Sequence, residues 1–202
     1  MGVDIQALRI LNHSKSFGDF KKTLTIGRQG LHSPAQAIEA IFNTSNFQVS
    51  DFSEDLFIKL LGSTSVDSID FSDYEGATII HDLNDPVPDK LGKFDTIFDG
   101  GCLEHIFNIN QALINVSKLC KVGGQIIHVL PTNNQCGHGF WQFSPELFFS
   151  LYSERNGYKN TEVLLGDTTN PNWTVMLNPP KEGERHDIQH PNPLYEIGRA
   201  HV

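Results

Sequence analysis

Three runs of β-branched and aromatic residues stop abruptly at glycine, aspartate or proline, and the segments between them have helical periodicity. Thr23-Leu24-Thr25-Ile26 stops at Gly27, and Phe94-Asp95-Thr96-Ile97-Phe98 runs into Asp99-Gly100-Gly101. Gln125-Ile126-Ile127-His128-Val129-Leu130 is closed by Pro131. Short continuous apolar runs of this kind read as strands covered on both faces. Before the last of them, Ile109, Ala112, Leu113, Val116 and Leu119 recur at i, i+3, i+4, i+7 and i+10. That spacing is one apolar stripe of a helix from about Asn108 to Lys121, with Gly123-Gly124 to end it. Strand, helix, strand in this rhythm implies a parallel sheet with helices on its faces.

The remaining segments extend the pattern. Ile5 to Leu11 reads as a short amphipathic helix, and Ser33-Pro34-Ala35-Gln36 as a helix start with Ser33 as N-cap and Pro34 at the first helical position. A further helix runs through Leu56 to Leu61 and stops at Gly62. Val66 to Phe71 and Ala77 to Ile80 are strand-like, Ser144-Pro145-Glu146 opens a helix to about Asn156, and Thr161–Leu165 and Trp173–Leu177 read as strands. No helix separates those last two, so they are expected to pair antiparallel at one edge. The expected organisation is an N-terminal helical segment over 1–20, an α/β domain over 21–178 and a loosely structured, proline-bearing tail over 179–195. The final Glu196-Ile197-Gly198-Arg199-Ala200-His201-Val202 matches the translation of a common sequencing-library adapter (GAG ATC GGA AGA GCA CAC GTC). On that reading the natural C-terminus is missing, and the heptapeptide is kept out of the functional argument.

Composition narrows the partners. The 202 residues, 39% hydrophobic and 19% charged, suffice for one domain with a substantial core. A formal net charge of −9 disfavours nucleic acid or an anionic membrane surface as the main partner. Three cysteines, Cys102, Cys120 and Cys136, show no CxxC spacing and point to a reducing compartment. No signal peptide and no membrane-length apolar run is visible. The expectation is a cytoplasmic protein with a small-molecule partner; the oligomeric state stays open.

In a doubly wound sheet ligands bind beyond the carboxyl ends of the strands. The residues there are Gly27-Arg28-Gln29-Gly30, Asp70 with Ser72, His81-Asp82-Leu83-Asn84, Asp99-Gly100-Gly101 with Glu104-His105, and Asn133 to Phe143. With Val66 to Ser72, His81 to Pro88, Phe94 to His105 and Lys121 to Ile127 in this order, the chain from Thr23 to Leu177 resembles class I S-adenosylmethionine-dependent methyltransferases of the small-molecule group. Gly137-His138-Gly139-Phe140-Trp141-Gln142-Phe143-Ser144-Pro145 resembles the signature of one uncharacterised subgroup.

The resemblance implies a mostly parallel, seven-stranded Rossmann-like sheet with an antiparallel edge strand, and S-adenosylmethionine as cofactor. It implies that Asp70 accepts from the ribose hydroxyls and Asp82 from the adenine amino group, with the Leu83 amide near the ring. Gly27 and Gly30 would approach the methionine end, and Asp99 and Gly100 would line the same pocket. One departure stands out: the usual acidic residue before the first glycines is replaced by Thr25, so that Gln29 or a neighbouring Asp has to compensate. A nicotinamide-dinucleotide reading fares worse, because G-x-G-x-x-G is absent.

Methyl transfer needs an aligned acceptor and, for a hydroxyl or an acidic amine, a base. His138, between two glycines in an aromatic loop, is the first candidate base; His105 beside Glu104 is the second. Phe140, Trp141 and Phe143 are candidate acceptor-pocket walls. A related group of methyltransferases holds a metal between two glutamates and histidines, but the matching upstream position here is Gly101, so no metal is expected. His128 reads as structural, and Cys102 as a packing residue. Beside the enzyme reading stands a binding module that keeps the fold without turnover, which the irregular Gly27–Gly30 loop supports.

Overall fold

The computed structural model describes residues 2–202. In chain order the elements are β1 (Gly2–Val3), α1 (Ile5–Lys15), β2 (Lys21–Ile26), β3 (Gly30–Leu31), α2 (Ala35–Phe42), α3 (Glu54–Leu60), β4 (Ser63–Asp70), β5 (Ile79–Ile80), β6 (Phe94–Asp99), α4 (Ile109–Leu119), β7 (Cys120–Asn133), α5 (Pro145–Leu151), β8 (Lys159–Asp167), β9 (Thr174–Leu177) and β10 (Leu194–His201). A short 3-10 turn over Leu103–His105 follows β6.

Eight strands form one sheet in the order β5-β4-β2-β6-β7-β10-β8-β9. Pairings from β5 through β7 are parallel. β10 runs antiparallel to both β7 and β8, and β9 pairs antiparallel with β8 at the edge. The edge pairing agrees with the absence of a helix between those strands. The sheet nevertheless has one strand more than the seven expected, because β10 is inserted between β7 and β8.

β10 takes up the C-terminal residues. The loose tail expected over 179–195 ends within this strand, and the adapter-like heptapeptide supplies most of it. Its register runs from Tyr195 opposite Pro131 to His201 opposite Gln125. Pro131 does not close β7; it sits beside an irregularity in the pairing, where a residue without an N–H is tolerated.

Two apolar layers cover the sheet. On one face, α4 and α5 bring Ala112, Leu113, Val116, Leu119 and Phe148 onto Leu24, Ile97, Ile126 and Leu130. On the other, α1 to α3 bring Leu8, Leu11, Ile38 and Phe57 onto Phe98, Ile127, Val129 and Ile197. Alternate residues of β6 and β7 thus feed opposite layers, as the period of two requires. The N-terminal helix packs into the second layer.

Local chemistry explains the other differences. Ser33 does not cap α2: its hydroxyl donates to the Val3 carbonyl, and Pro34 takes the cap position. α4 starts where expected, with Asn108 Oδ1 accepting from the Gln111 amide. α5 stops at Leu151, short of Asn156. No helix among the described residues is long and apolar enough to cross a membrane.

Candidate active site

Two cavities open at the carboxyl ends of the parallel strands, on either side of the segment that follows β6. The larger, about 380 Å³, is lined by residues including Asp70, Phe71, Asp82, Leu83, Cys102 and His105. The smaller, about 140 Å³, is lined by residues including Asp4, Gly100, Gly101, Glu104, His138 and Tyr195. Cys102, His105 and Ile106 face the first, while Gly100, Gly101 and Glu104 face the second.

In the larger cavity acidic side chains stand at the ends of neighbouring strands, with apolar Ile69, Leu83 and Ile106 also on the wall. Asp70 ends β4, and its Oδ1 accepts from the Ser72 amide. Asp82 is fixed by its own turn: Oδ1 accepts from Asn84 N at 2.9 Å and from Asn84 Nδ2 at 2.7 Å. The turn itself hangs on Asn115, buried in α4. Asn115 Nδ2 donates to the carbonyls of Leu83 and Asp85, and its Oδ1 accepts from the Val87 amide. Sequence reasoning missed this residue. Its signal was a polar side chain beside Ala112 and Val116, on the apolar face of an otherwise clean stripe.

The cavity thus combines an apolar wall with carboxylates that can accept from hydroxyl and amino groups, a chemistry compatible with a nucleoside.

The first loop does not join them. Gly27 takes a left-handed conformation, and its amide donates to the Ile69 carbonyl. Arg28 turns outward, with Nε 2.6 Å from Glu54 Oε1 and its guanidinium over the Phe52 ring. Gln29 folds back so that its Nε2 donates to the Ile26 carbonyl, and Gly30 pairs with Gly2 in the small second sheet. None of residues 27–30 walls either cavity.

Asp99 is likewise turned away from both cavities, whereas Gly100 lines the smaller one. The Asp99 carboxylate is fully buried: Oδ1 accepts from the Cys102 amide at 2.9 Å, and Oδ2 lies 3.0 Å from His128 Nδ1. His128 Nε2 is 2.6 Å from the Tyr152 hydroxyl, which completes a buried polar chain, so that His128 is structural. Burial raises the Cys102 thiol well above its ordinary range, the wrong direction for a nucleophile.

Glu104 and His138 come from distant parts of the chain and meet at the smaller cavity. Glu104 is completely buried, yet neither carboxylate oxygen has a hydrogen-bond partner among the described residues. His138 Nε2 lies 3.4 Å and His105 Nε2 3.8 Å from Glu104 Oε1, and the two imidazoles are 51% and 49% exposed. The loop that delivers His138 is tied down by backbone bonds. Phe140 N donates to the Glu104 carbonyl at 2.7 Å, and Trp141 Nε1 donates to that of Ile106. Gly139 permits the approach, because a Cβ there would stand 2.7 Å from the Glu104 carbonyl oxygen.

Burial, with the nearby Asp99 charge adding to it, pushes the Glu104 carboxyl up to about 8. Burial first, then His138, lowers the His105 imidazole. Asp4 and Tyr195 also line the smaller cavity. Neither residue was singled out from the sequence; Asp4 caps α1 and Tyr195 lies in β10.

One expectation needs correction. Phe143 belongs to the core, stacked near Phe148, while Phe140 packs edge-on against Phe107, and neither they nor Trp141 line either of these two cavities. The fold brings His138 to Glu104 and His105, and the ligand atoms of the three lie within 4.8 Å of one another.

No family model and no curated protein matches the chain. Solved structures do. TehB from Haemophilus influenzae superposes with a TM-score of 0.51 at 14% identity, over 95% of this chain and 60% of that one. The plantazolicin methyltransferase BpumL, solved in complex with SAH, gives a TM-score of 0.51 at 12% identity, over 97% of this chain and 83% of that one. The chain therefore spans less than two thirds of TehB. Its fold is the class I S-adenosylmethionine-dependent methyltransferase fold.

Proposed function

We propose that this protein is an S-adenosylmethionine-dependent methyltransferase acting on a small-molecule acceptor. The observation that supports the reading is the pair of cavities flanking residues 100–106. The larger has an apolar wall and the Asp70 and Asp82 carboxylates, and the smaller has the buried Glu104 and His138 on its lining.

When bound, the cofactor supplies a methyl carbon already activated by a sulfonium. Asp70 and Asp82 hold the nucleoside half, and Asn115 keeps the Asp82 turn in place. Gly100 and Gly101 line the smaller cavity, where an acceptor would bind; in-line displacement would require its nucleophile on the side of the methyl carbon opposite the sulfur. The acceptor's proton is drawn off at the Glu104–His105–His138 cluster. His138, exposed and closest to Glu104, is the foremost candidate, and His105 the second. The narrow polar cavity and the net charge of −9 favour a neutral or cationic small molecule, such as a sugar-type intermediate, over nucleic acid.

One observation favours the rival reading of a cofactor-binding module without turnover: residues 27–30 are turned away from both cavities. Incubation with S-adenosylmethionine and a panel of hydroxyl- and amine-bearing acceptors decides between the two. Acceptor-dependent formation of S-adenosylhomocysteine supports the enzyme. Tight cofactor binding with no product across the panel supports the module.

A further inference from the structure

We infer that Glu104, His105 and His138 form a binding site for one divalent first-row transition-metal ion at the edge of the acceptor cavity. The donor set is one carboxylate oxygen and two imidazole nitrogens. Mixed nitrogen and oxygen ligands of this kind suit Mn, Fe, Co or Zn, whereas Mg and Ca prefer all-oxygen shells.

Geometry carries the inference. Ligand bonds of about 2.0–2.2 Å in a tetrahedral arrangement put neighbouring donor atoms about 3.4 Å apart. Oε1 of Glu104 and Nε2 of His138 are already 3.4 Å apart, and Nε2 of His105 is 3.8 Å from the same oxygen. Half-exposed imidazoles can close that gap by rotating, while Glu104 is held from both sides: it is fully buried, and its carbonyl accepts from two loop amides.

The second observation is the state of that carboxylate. A completely buried side chain with two unpartnered oxygens is costly. Among the described residues no hydroxyl or guanidinium hydrogen-bonds it, and beside it stand two imidazole nitrogens that are themselves metal donors. A cation between the three would offset part of the burial and engage Oε1 and both imidazoles.

Three protein ligands leave a position open, and the smaller cavity lies beside it. This step rests on the methyltransferase reading and deepens it: the acceptor is one that offers a hydroxyl oxygen to the ion. Coordination would lower the pKa of that hydroxyl. Its proton leaves to solvent, the oxygen bonds to the methyl carbon, and the carbon–sulfur bond breaks with the electron pair on sulfur. The products are the methyl ether and S-adenosylhomocysteine. His138 then works as a ligand rather than as a free base.

The test uses the full chain, stripped with a chelator and titrated with Co²⁺, read by its visible absorption bands, and in parallel with Zn²⁺ by calorimetry. The expected result is one ion per chain, bound at least tenfold more weakly by His105→Ala and by His138→Ala. Both side chains are half exposed, so these variants should fold, and Glu104→Gln adds an isosteric change in the buried ligand. Absence of metal binding by the folded chain overturns the site, as does binding that all three variants retain. S-adenosylhomocysteine titrated into the same samples separates the two readings. Cofactor binding without metal binding leaves the methyltransferase reading standing and removes the metal; metal binding without cofactor binding does the reverse.

Discussion

Asp99 and His128 are direct partners across β6 and β7, and their side chains meet at 3.0 Å with no exposure to solvent. The pair is completed by the Tyr152 hydroxyl at 2.6 Å from the far ring nitrogen. An acidic residue at the end of a central strand is a natural candidate for a ligand contact; here it is consumed by the core.

Replacement of Asp99 by alanine therefore acts on stability. It leaves the His128 ring and the Cys102 amide without their acceptor, and the expected loss is about 2–4 kcal/mol in urea unfolding. A loss below about 0.5 kcal/mol, accompanied by weakened cofactor binding, would return Asp99 to the ligand site.

Asp70 should behave in the opposite way. Asp70→Ala removes an acceptor from the larger cavity and is expected to weaken S-adenosylmethionine binding by about 1–3 kcal/mol with little effect on the unfolding midpoint. Unchanged affinity in calorimetry removes it from the site.

For His138→Ala, cofactor affinity should persist while the rate of transfer falls about 10²-fold or more, whether the imidazole acts as base or as metal ligand. A fully active variant would make it a loop residue only.

Glu196 sets an expected pH dependence. It is buried in β10 with neither oxygen partnered, and burial pushes its carboxyl up to about 9. A raised folded-state value means that the unfolded chain loses this proton first. Stability from this group is complete below its ordinary value near 4.5 and is lost as pH rises toward 9. The penalty at pH 7 is on the order of 3 kcal/mol. Glu196→Gln should unfold at higher denaturant concentration than the parent at pH 7–8, and the difference should vanish near pH 4. A constant difference at all pH values would contradict the buried, protonated carboxyl.

The same residue shows why β10 was illegible in the sequence. A strand covered on both faces normally reads as an apolar run. β10 places Glu196 and Arg199 in full burial, with Arg199 packed over Phe17 and 3.2 Å from Glu162. No periodic reading selects such a segment. By contrast β2, β6, β7 and α4 announced themselves, because their apolar residues follow the period of the element they form.

The site was legible in parts. Asp70 and Asp82 end strands, and strand ends face the ligand side, so position alone marked them. The meeting of His138 with Glu104, 34 positions away in the chain, depends on a loop after β7 that docks by backbone hydrogen bonds, which no local pattern encodes. Gly139, one of the two glycines around His138, was the visible trace of that close approach. The partner of Asp99 was hidden in the same way, since strand register, not sequence distance, brings His128 to it.

The central claim, that the cavity between Asp70 and Asp82 takes the nucleoside of S-adenosylmethionine, is tested most directly by calorimetric titration of the full chain with S-adenosylmethionine and S-adenosylhomocysteine. The account predicts one site per chain, with a dissociation constant of about 1–100 μM for each. No heat of binding from a cooperatively folded sample would contradict it.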